Sequence, residues 1–327
     1  MTRIAELASS LAALADQLAP GGGAIEGLTR LSGGASLETW SFDIAGQGFV
    51  LRREPIGYGR AATKAGLSVE AELMRLAAAA GAPSPRVRLT LRPEHGLGEG
   101  FIMDRVEGET IAKRLLRDEA YAAVRPTLAR RFGELLAAIH AIPATAAPAL
   151  RVAGAQERLG EVVEIYETSG SGRPVFELAI QWLRQHMPEP TTPKLVHGDF
   201  RTGNLIVGPE GVRAILDWEV AHLGDPMEDL GWVCVNSWRF GEINKPVGGF
   251  GQRQALFEGY QAVSGHQVEP GTVRWWQTLG SLSWGASCAL IGVDDHAKGD
   301  RPVERAMIGR RASECEIDLL RLLLGED

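Results

Sequence analysis

Three side chains with oxygen ligands fall within one short stretch of the chain. It reads Lys194-Leu-Val-His197-Gly-Asp199-Phe-Arg201-Thr-Gly-Asn204, and Ile215-Leu-Asp217-Trp-Glu219 follows. The runs Leu205–Val207 and Val212–Leu216 flank Gly208-Pro209-Glu210-Gly211, a hairpin pattern. Closing that hairpin brings Asn204, at the start of one strand, beside Asp217, at the end of the other. Asp199 lies in the loop just before. An amide oxygen and a carboxylate suit Mg2+, which takes one or two protein ligands and shares the rest of its shell with substrate phosphates. A second carboxylate held off the metal can accept the proton of an attacking hydroxyl. An Asp, an Asn five residues on and a later Asp is the arrangement that phosphoryl transfer uses for base and metal ligands. Turn capping explains one loop Asp or Asn equally well, but not the whole string.

These groups need elements to carry them. Residues 3–19 place Ile4, Leu7, Leu11, Leu14 and Leu18 at helical spacing, which predicts one amphipathic helix and not a secretory leader. Short extended runs follow at 25–31, 39–44 and 49–52, separated by glycine turns. A helix is expected over 67–80, ended by Gly81-Ala82-Pro83, and two more strands over 86–91 and 100–105. From Gly108 the pattern turns helical, at 111–116, 128–142, 157–166 and 176–186 and again from Met227, interrupted only by the β segment at 194–217. This divides the chain into a β-rich part, 1–105, and a helical part, 106–327, with a cleft between them as the expected ligand site.

Composition sets the outer limits. The chain has 327 residues, 45% hydrophobic and 23% charged, as in a folded globular protein of about two domains. No apolar run reaches the roughly 18 residues of a membrane span. Cys234, Cys288 and Cys315 form no C-x-x-C pair, which argues against a disulfide or zinc framework and favours the cytoplasm. A net charge of −7 gives no general attraction to nucleic acid or anionic lipid, so no nucleic-acid or membrane partner is expected. There is no G-x4-G-K-[ST], no H-E-x-x-H and no G-x-S-x-G.

The string resembles the aminoglycoside phosphotransferase and choline kinase-like family, small-molecule kinases related in fold to protein kinases. Further stretches agree with it in chain order. Leu31-Ser-Gly33-Gly34-Ala-Ser36-Leu-Glu-Thr39-Trp looks like the phosphate loop, Phe49-Val50-Leu-Arg52-Arg53 like the third strand, and Phe101-Ile-Met103-Asp104-Arg105-Val106 like the hinge. Gly224-Asp225-Pro-Met-Glu-Asp229 looks like the helix opening after the metal Asp. The wording is nearest to the branch of kinase-like domains fused to some acyl-CoA dehydrogenases.

The resemblance implies an α+β, protein kinase-like two-lobed fold, ATP and Mg2+ as cofactors, and a small-molecule hydroxyl acceptor. Asn204 and Asp217 would bind Mg2+, with Asp199 as the base. Gly33, Gly34 and Ser36 would cradle phosphates, since glycines let backbone N–H groups approach closely. Residues two apart on a strand share a face, so Val50 would cover adenine and Arg52 reach the phosphates, with Arg53 still open. Protein kinases place Lys here, so arginine is a departure. Glu70, favoured over Glu72, would orient it. Met103 to Val106, Arg105 included, would offer backbone groups to the base.

Arg201 could neutralise developing phosphoryl charge or simply pair with Glu219 or another nearby acid. His197, Asp225 and Asp229 read as structural supports. Only 11 residues lie between Asp217 and Asp229, too few for an activation segment, so a protein substrate is not expected. Trp232, Trp238, Trp275, Trp276 and Trp284 read mainly as core, some reaching the acceptor pocket. Aminoglycoside, macrolide, choline-like alcohol and hydroxyacyl thioester all stay open as acceptor, as do GTP in place of ATP and the oligomeric state. A nucleotide-binding regulatory protein without turnover is the alternative.

Overall fold

The structure, a computed structural model, describes residues 3–33, 37–54, 65–298 and 303–326. The chain opens with two helices, α1 (Arg3–Ala12) and α2 (Ala15–Leu18), then strands β1 (Ile25–Gly33), β2 (Glu38–Ile44) and β3 (Gln47–Glu54). Helix α3 (Leu67–Ala79) precedes β4 (Val87–Thr90) and β5 (Glu99–Asp104). The five strands form one antiparallel sheet in the order β1-β2-β3-β5-β4. Ala45 and Gly46, the two-residue turn between β2 and β3, both have positive φ (50° and 79°), as a type I′ hairpin requires.

Strand alternation gives this sheet two different faces. Trp40, Phe42, Phe49 and Leu51 point outward, where Leu7, Leu11, Leu14 and Leu18 of α1 and α2 cover them. Each of those buried leucines contributes about 1.5–3 kcal/mol as an upper bound. The predicted single helix over 3–19 is thus two, divided by a turn in which the Leu14 N–H bonds the Leu11 carbonyl. Neither Ala13 nor Leu14 is a helix breaker, so no local signal announces the division. Ile4, placed on the apolar stripe, is 52% exposed.

After β5 the chain is mostly helical: α4 (Ala112–Arg117), α5 (Leu128–His140), α6 (Ala155–Ser169) and α7 (Pro174–Gln185). Four short strands come next, β6 (Lys194–Val196), β7 (Leu205–Gly208), β8 (Gly211–Ile215) and β9 (His222–Gly224). Then α8 (Met227–Val233), α9 (Arg253–Ser264), α10 (Pro270–Lys298) and α11 (Val303–Leu324) complete the fold. The β7–β8 hairpin stands where the sequence places it; the β6–β9 pair adds a ladder that ties the start of the 194–217 segment to the residues just beyond it.

The change from sheet to helices falls after residue 104, but apolar packing does not stop there. Leu67, Ala71 and Phe101 belong to the same buried cluster as Leu205 and Ile215 of the hairpin and Phe132 of α5. A separate cluster joins α6, α7, α10 and α11 around Trp275 and Trp276. None of the described helices is long and apolar enough to cross a membrane.

Candidate active site

The β7–β8 hairpin pairs Leu205 with Ile215, and the Leu216 N–H bonds the Asn204 carbonyl at 2.8 Å. That closure sets Asn204 and Asp217 side by side, as the sequence predicts. Asp217 has φ 65°, a left-handed conformation that costs a non-glycine residue energy and turns its carboxylate out of the strand line. Asp199 enters from the end of β6. The Asn204 Nδ2 donates to the Asp199 Oδ2 at 2.6 Å and to its carbonyl at 2.9 Å, which leaves the Asn204 amide oxygen without a donor among the described residues.

Asp199 has two further donors on its other oxygen. Arg201 Nε donates to Oδ1 at 3.0 Å and Trp232 Nε1 at 2.8 Å. Burial pushes the Asp199 carboxyl above its ordinary value, against the opposing pull of Arg201, His197 and the Trp232 bond. The Arg201 guanidinium lies 4.7 Å from the Trp238 ring centre, so it is held from below by an aromatic face and from the side by Asp199. Trp232, Trp238 and Trp284 pack in a row, with ring centres 5.2 Å apart at each step, and Arg311 covers Trp284 at 5.6 Å. Trp275 and Trp276 are core, their indole N–H groups bonded to the Leu183 carbonyl and the Asp225 carboxylate.

The loop before Asp199 is braced from two sides. The His197 Nδ1 accepts from the Asp199 N–H at 3.2 Å, which leaves its Nε2–H to donate to the Leu216 carbonyl at 3.1 Å. His197 therefore links the Asp199 loop to the strand carrying Asp217, the supporting role its position suggests. The Asp229 carboxylate accepts from the His197 and Gly198 N–H groups at 2.8 and 2.9 Å. Asp225 accepts from the Met227 N–H at 2.9 Å and caps α8.

Across the cleft, β3 presents Val50 and Arg52 to the same space. Arg52 Nη2 lies 2.6 Å from Asp217 Oδ1 and 3.9 Å from Glu219, while Nε lies 3.4 Å from Glu70. Burial works against the Arg52 charge, but Glu70, Asp217 and Glu219 outweigh it and hold the guanidinium above its ordinary value. Arg53 points to the opposite face, where it pairs with buried Glu38 at 2.8 Å and donates to the Leu97 carbonyl. The exposed Glu72 pairs with Arg75 on the surface, so Glu70 is the α3 carboxylate that faces Arg52.

A cavity of about 300 Å³ opens beside Arg52. Val50, Phe101 and Met103 line it from the sheet, Ile206 and Leu216 from the hairpin, and Arg52, Glu70 and Asp217 supply its charged end. Arg105 stands at its rim, but the Arg105 backbone N–H already bonds the Gly48 carbonyl, and its guanidinium pairs with Asp43 and Glu107. Arg105 therefore offers the cavity a side chain and no backbone donor. Gly33 ends β1 opposite Glu38. Gly34 and Ser36 lie outside the described residues.

Among the described residues no three His, Cys, Asp or Glu side chains converge into a metal cage. The donor set beside the cavity, one free amide oxygen and one carboxylate, fits an ion that keeps most of its shell for water and phosphate. The sequence reading offered Glu219 as a partner for Arg201, whereas Arg201 bonds Asp199 and Glu219 lies 3.9 Å from Arg52; it gave no role to the Trp232 bond with Asp199. It missed His140 and Tyr260 altogether. His140 Nε2 lies 3.0 Å from Asp229 Oδ2, and its Nδ1 lies 3.1 Å from the Tyr260 hydroxyl. These partners lie 89 and 120 positions apart, so no spacing signal links them.

Comparison with known proteins agrees with this geometry. The sequence profile described as "Phosphotransferase enzyme family" matches residues 27–266. Acyl-CoA dehydrogenase family member 10 of Mus musculus is 29% identical over 220 residues, covering 64% of this chain but only 20% of that protein. A choline/ethanolamine kinase family protein from Mesorhizobium loti superposes with a TM-score of 0.63 at 21% identity, covering 98% of each chain. A thermostable aminoglycoside phosphotransferase mutant, in ternary complex with AMP-PNP and hygromycin B, superposes with a TM-score of 0.59 at 17% identity, covering 94% of this chain and 98% of that one. At these identities the structural likenesses establish the fold, a two-lobed kinase-like α+β architecture.

Proposed function

The chain belongs to the phosphotransferase enzyme family, and from that premise we propose that it transfers the γ-phosphoryl group of MgATP to a hydroxyl of a small molecule. The observation that carries this reading is the hydrogen-bonded pair Asp199 and Asn204 set by the hairpin next to Asp217, which lines a cavity together with Arg52 and Glu70. Residues 1–105 would form the nucleotide-binding lobe and 106–327 the lobe carrying the Asp199 loop and the acceptor site.

In this reading Val50, Phe101 and Met103 cover the base, and Arg52, oriented by Glu70, exchanges part of its contact with Asp217 for phosphate oxygens. Asn204 and Asp217 would hold Mg2+, which when bound neutralises charge on the transferred group. Asp199 accepts the proton of the acceptor hydroxyl as that oxygen bonds phosphorus and the bond to the ADP oxygen breaks. Asn204 and Trp232 fix the Asp199 carboxylate, and Arg201 stands where it can balance charge on the moving phosphoryl.

The aromatic row narrows the acceptor. A quaternary ammonium held by an indole face would need that face open, yet Arg201 covers Trp238 and Arg311 covers Trp284. These contacts disfavour those two rings as the seat of a quaternary ammonium.

A metabolite-pool screen for Mg2+-dependent, acceptor-stimulated ADP release tests the assignment. Wild type should respond to at least one acceptor and Asp199→Asn should lose about 10²-fold or more. Full activity in Asp199→Asn would overturn the mechanism. Calorimetric binding of AMP-PNP with Mg2+, in a wild type that shows no ADP release across the pool, would instead favour the regulatory reading that the arginine at position 52 raises.

A further inference from the structure

Asp229 is fully buried, and both of its oxygens are engaged by consecutive backbone amides, Oδ2 by His197 and Oδ1 by Gly198. Gly198 has φ +79°, and a Cβ there would stand 2.9 Å from the Val220 carbonyl oxygen. The chain thus makes a left-handed turn immediately before Asp199, and two successive N–H groups converge on one carboxylate. A buried carboxylate rotated away from those amides would lose both bonds at once. Its remaining partner is His140 Nε2, 3.0 Å from Oδ2.

We propose that His140 and Tyr260 are positioning residues for the Asp199 loop: they hold the Asp229 carboxylate in the orientation that fixes the His197 and Gly198 amides. The inference rests on the reading of Asp199 as the base. The hydrogen-bond directions are set from the Asp229 end. Burial, with Asp229 and Asp225 nearby, pushes the Tyr260 phenol well above its ordinary value, so its O–H stays intact. The Asp229 carboxylate only accepts, so His140 Nε2 carries the proton that faces it, and Nδ1 is left to accept the Tyr260 O–H. The relay crosses three helices, Tyr260 on α9, His140 on α5 and Asp229 on α8.

Helices α5 and α9 come close enough for this because two glycines face the crossing. A Cβ on Gly133 would collide with the Leu256 carbonyl oxygen, and one on Gly259, next to Tyr260, with the Arg130 carbonyl oxygen. None of the three relay residues lines the cavity beside Arg52. They act on Asp199 only through its loop.

The test uses the full chain and three variants. His140→Phe removes both ring nitrogens, His140→Gln restores an N–H near Nε2, and Tyr260→Phe removes only the phenol hydroxyl. Two readouts are followed: hydrogen exchange at the His197 and Gly198 amides, and Mg2+-dependent ATP hydrolysis with water as acceptor. For His140→Phe, exchange at those two amides should quicken at least about tenfold while the β7–β8 amides are unmoved. Its kcat should fall roughly ten- to a hundredfold with little change in KM for MgATP, as a displaced catalytic group predicts. His140→Gln should recover most of both effects, and Tyr260→Phe should lie between wild type and His140→Phe.

Unchanged exchange at the two amides in Tyr260→Phe and in whichever His140 variants fold would overturn the proposal. So would a His140→Gln no better than His140→Phe, or a lowered melting temperature with kcat retained. Should His140→Phe not fold, Tyr260→Phe and His140→Gln carry the test. If the wild type hydrolyses no MgATP with water as acceptor, the amide exchange alone decides the relay, and the kinase reading is judged separately by the acceptor screen.

Discussion

Two adjacent arginines divide their work according to the faces of one strand. Arg52 turns to the cavity and to Glu70 and Asp217; Arg53 turns to the outer face, where Glu38, itself bonded by the Trp40 indole, receives it. Both sit against buried carboxylates, so removing either cation strands a charge and costs about 3 kcal/mol. Thermal unfolding should register both Arg52→Ala and Arg53→Ala. Calorimetric titration with AMP-PNP and Mg2+ should register only Arg52→Ala, because Arg53 never reaches the cavity. Weakened nucleotide binding in Arg53→Ala would refute this division. Period-two alternation made Arg52 the better candidate from sequence alone, since the faces of a strand follow from spacing. The aromatic support under Arg201 was not readable in that way. Arg201 and Trp238 meet through tertiary packing of a loop on a short helical turn, and no local pattern fixes it.

At the level of elements, the hairpin was legible because its contacts are local: two short runs, one glycine turn, and the flanking Asn204 and Asp217 meet. Its foundations were not. Helix α8 is anchored by Glu228, which pairs with Arg158 of α6 at 3.0 Å and His222 of β9 at 3.1 Å. Burial opposes the Glu228 charge, but Arg158 and His222 overcome it and bring the carboxyl down from the usual 4.5 to about 2. A folded-state value below the unfolded one gives stability that is complete above about pH 4.5 and fades as the pH falls towards 2. Glu228→Gln should therefore melt well below wild type at neutral pH, and the gap should narrow in acid; a gap independent of pH would exclude the linkage. The crossing of α5 and α9 makes a second prediction. Gly133→Ala sets a methyl against backbone that cannot swing aside, so it should cost at least about 1–3 kcal/mol in denaturant unfolding.

For the whole molecule, the sheet-then-helix order of the chain foretold the two-lobed architecture, while the apolar cluster shared by α3, β5 and the hairpin did not appear in any pattern of residues. That shared packing means the cavity walls belong to one cooperative unit, so a ligand held between them should stabilise the entire fold. AMP-PNP with Mg2+ at a hundred times its Kd should add about 2.7 kcal/mol, visible as a raised melting temperature. No shift at saturating concentrations would remove the nucleotide from this cavity. The match covers only a fifth of the length of the mouse relative, which is 29% identical to the chain. What the remainder of such proteins does carries no weight for the cavity described above.

At the charged end of the cavity the Arg52 guanidinium faces Glu70, Asp217 and Glu219. A triphosphate arriving unaccompanied meets those carboxylates, of its own sign, and a bare divalent ion meets too few protein oxygens to fill its shell. Each therefore makes room for the other, reciprocally and by the same factor. On the proposed reading the cleft is a coincidence detector, tuned to the metal–nucleotide chelate and indifferent to either component alone.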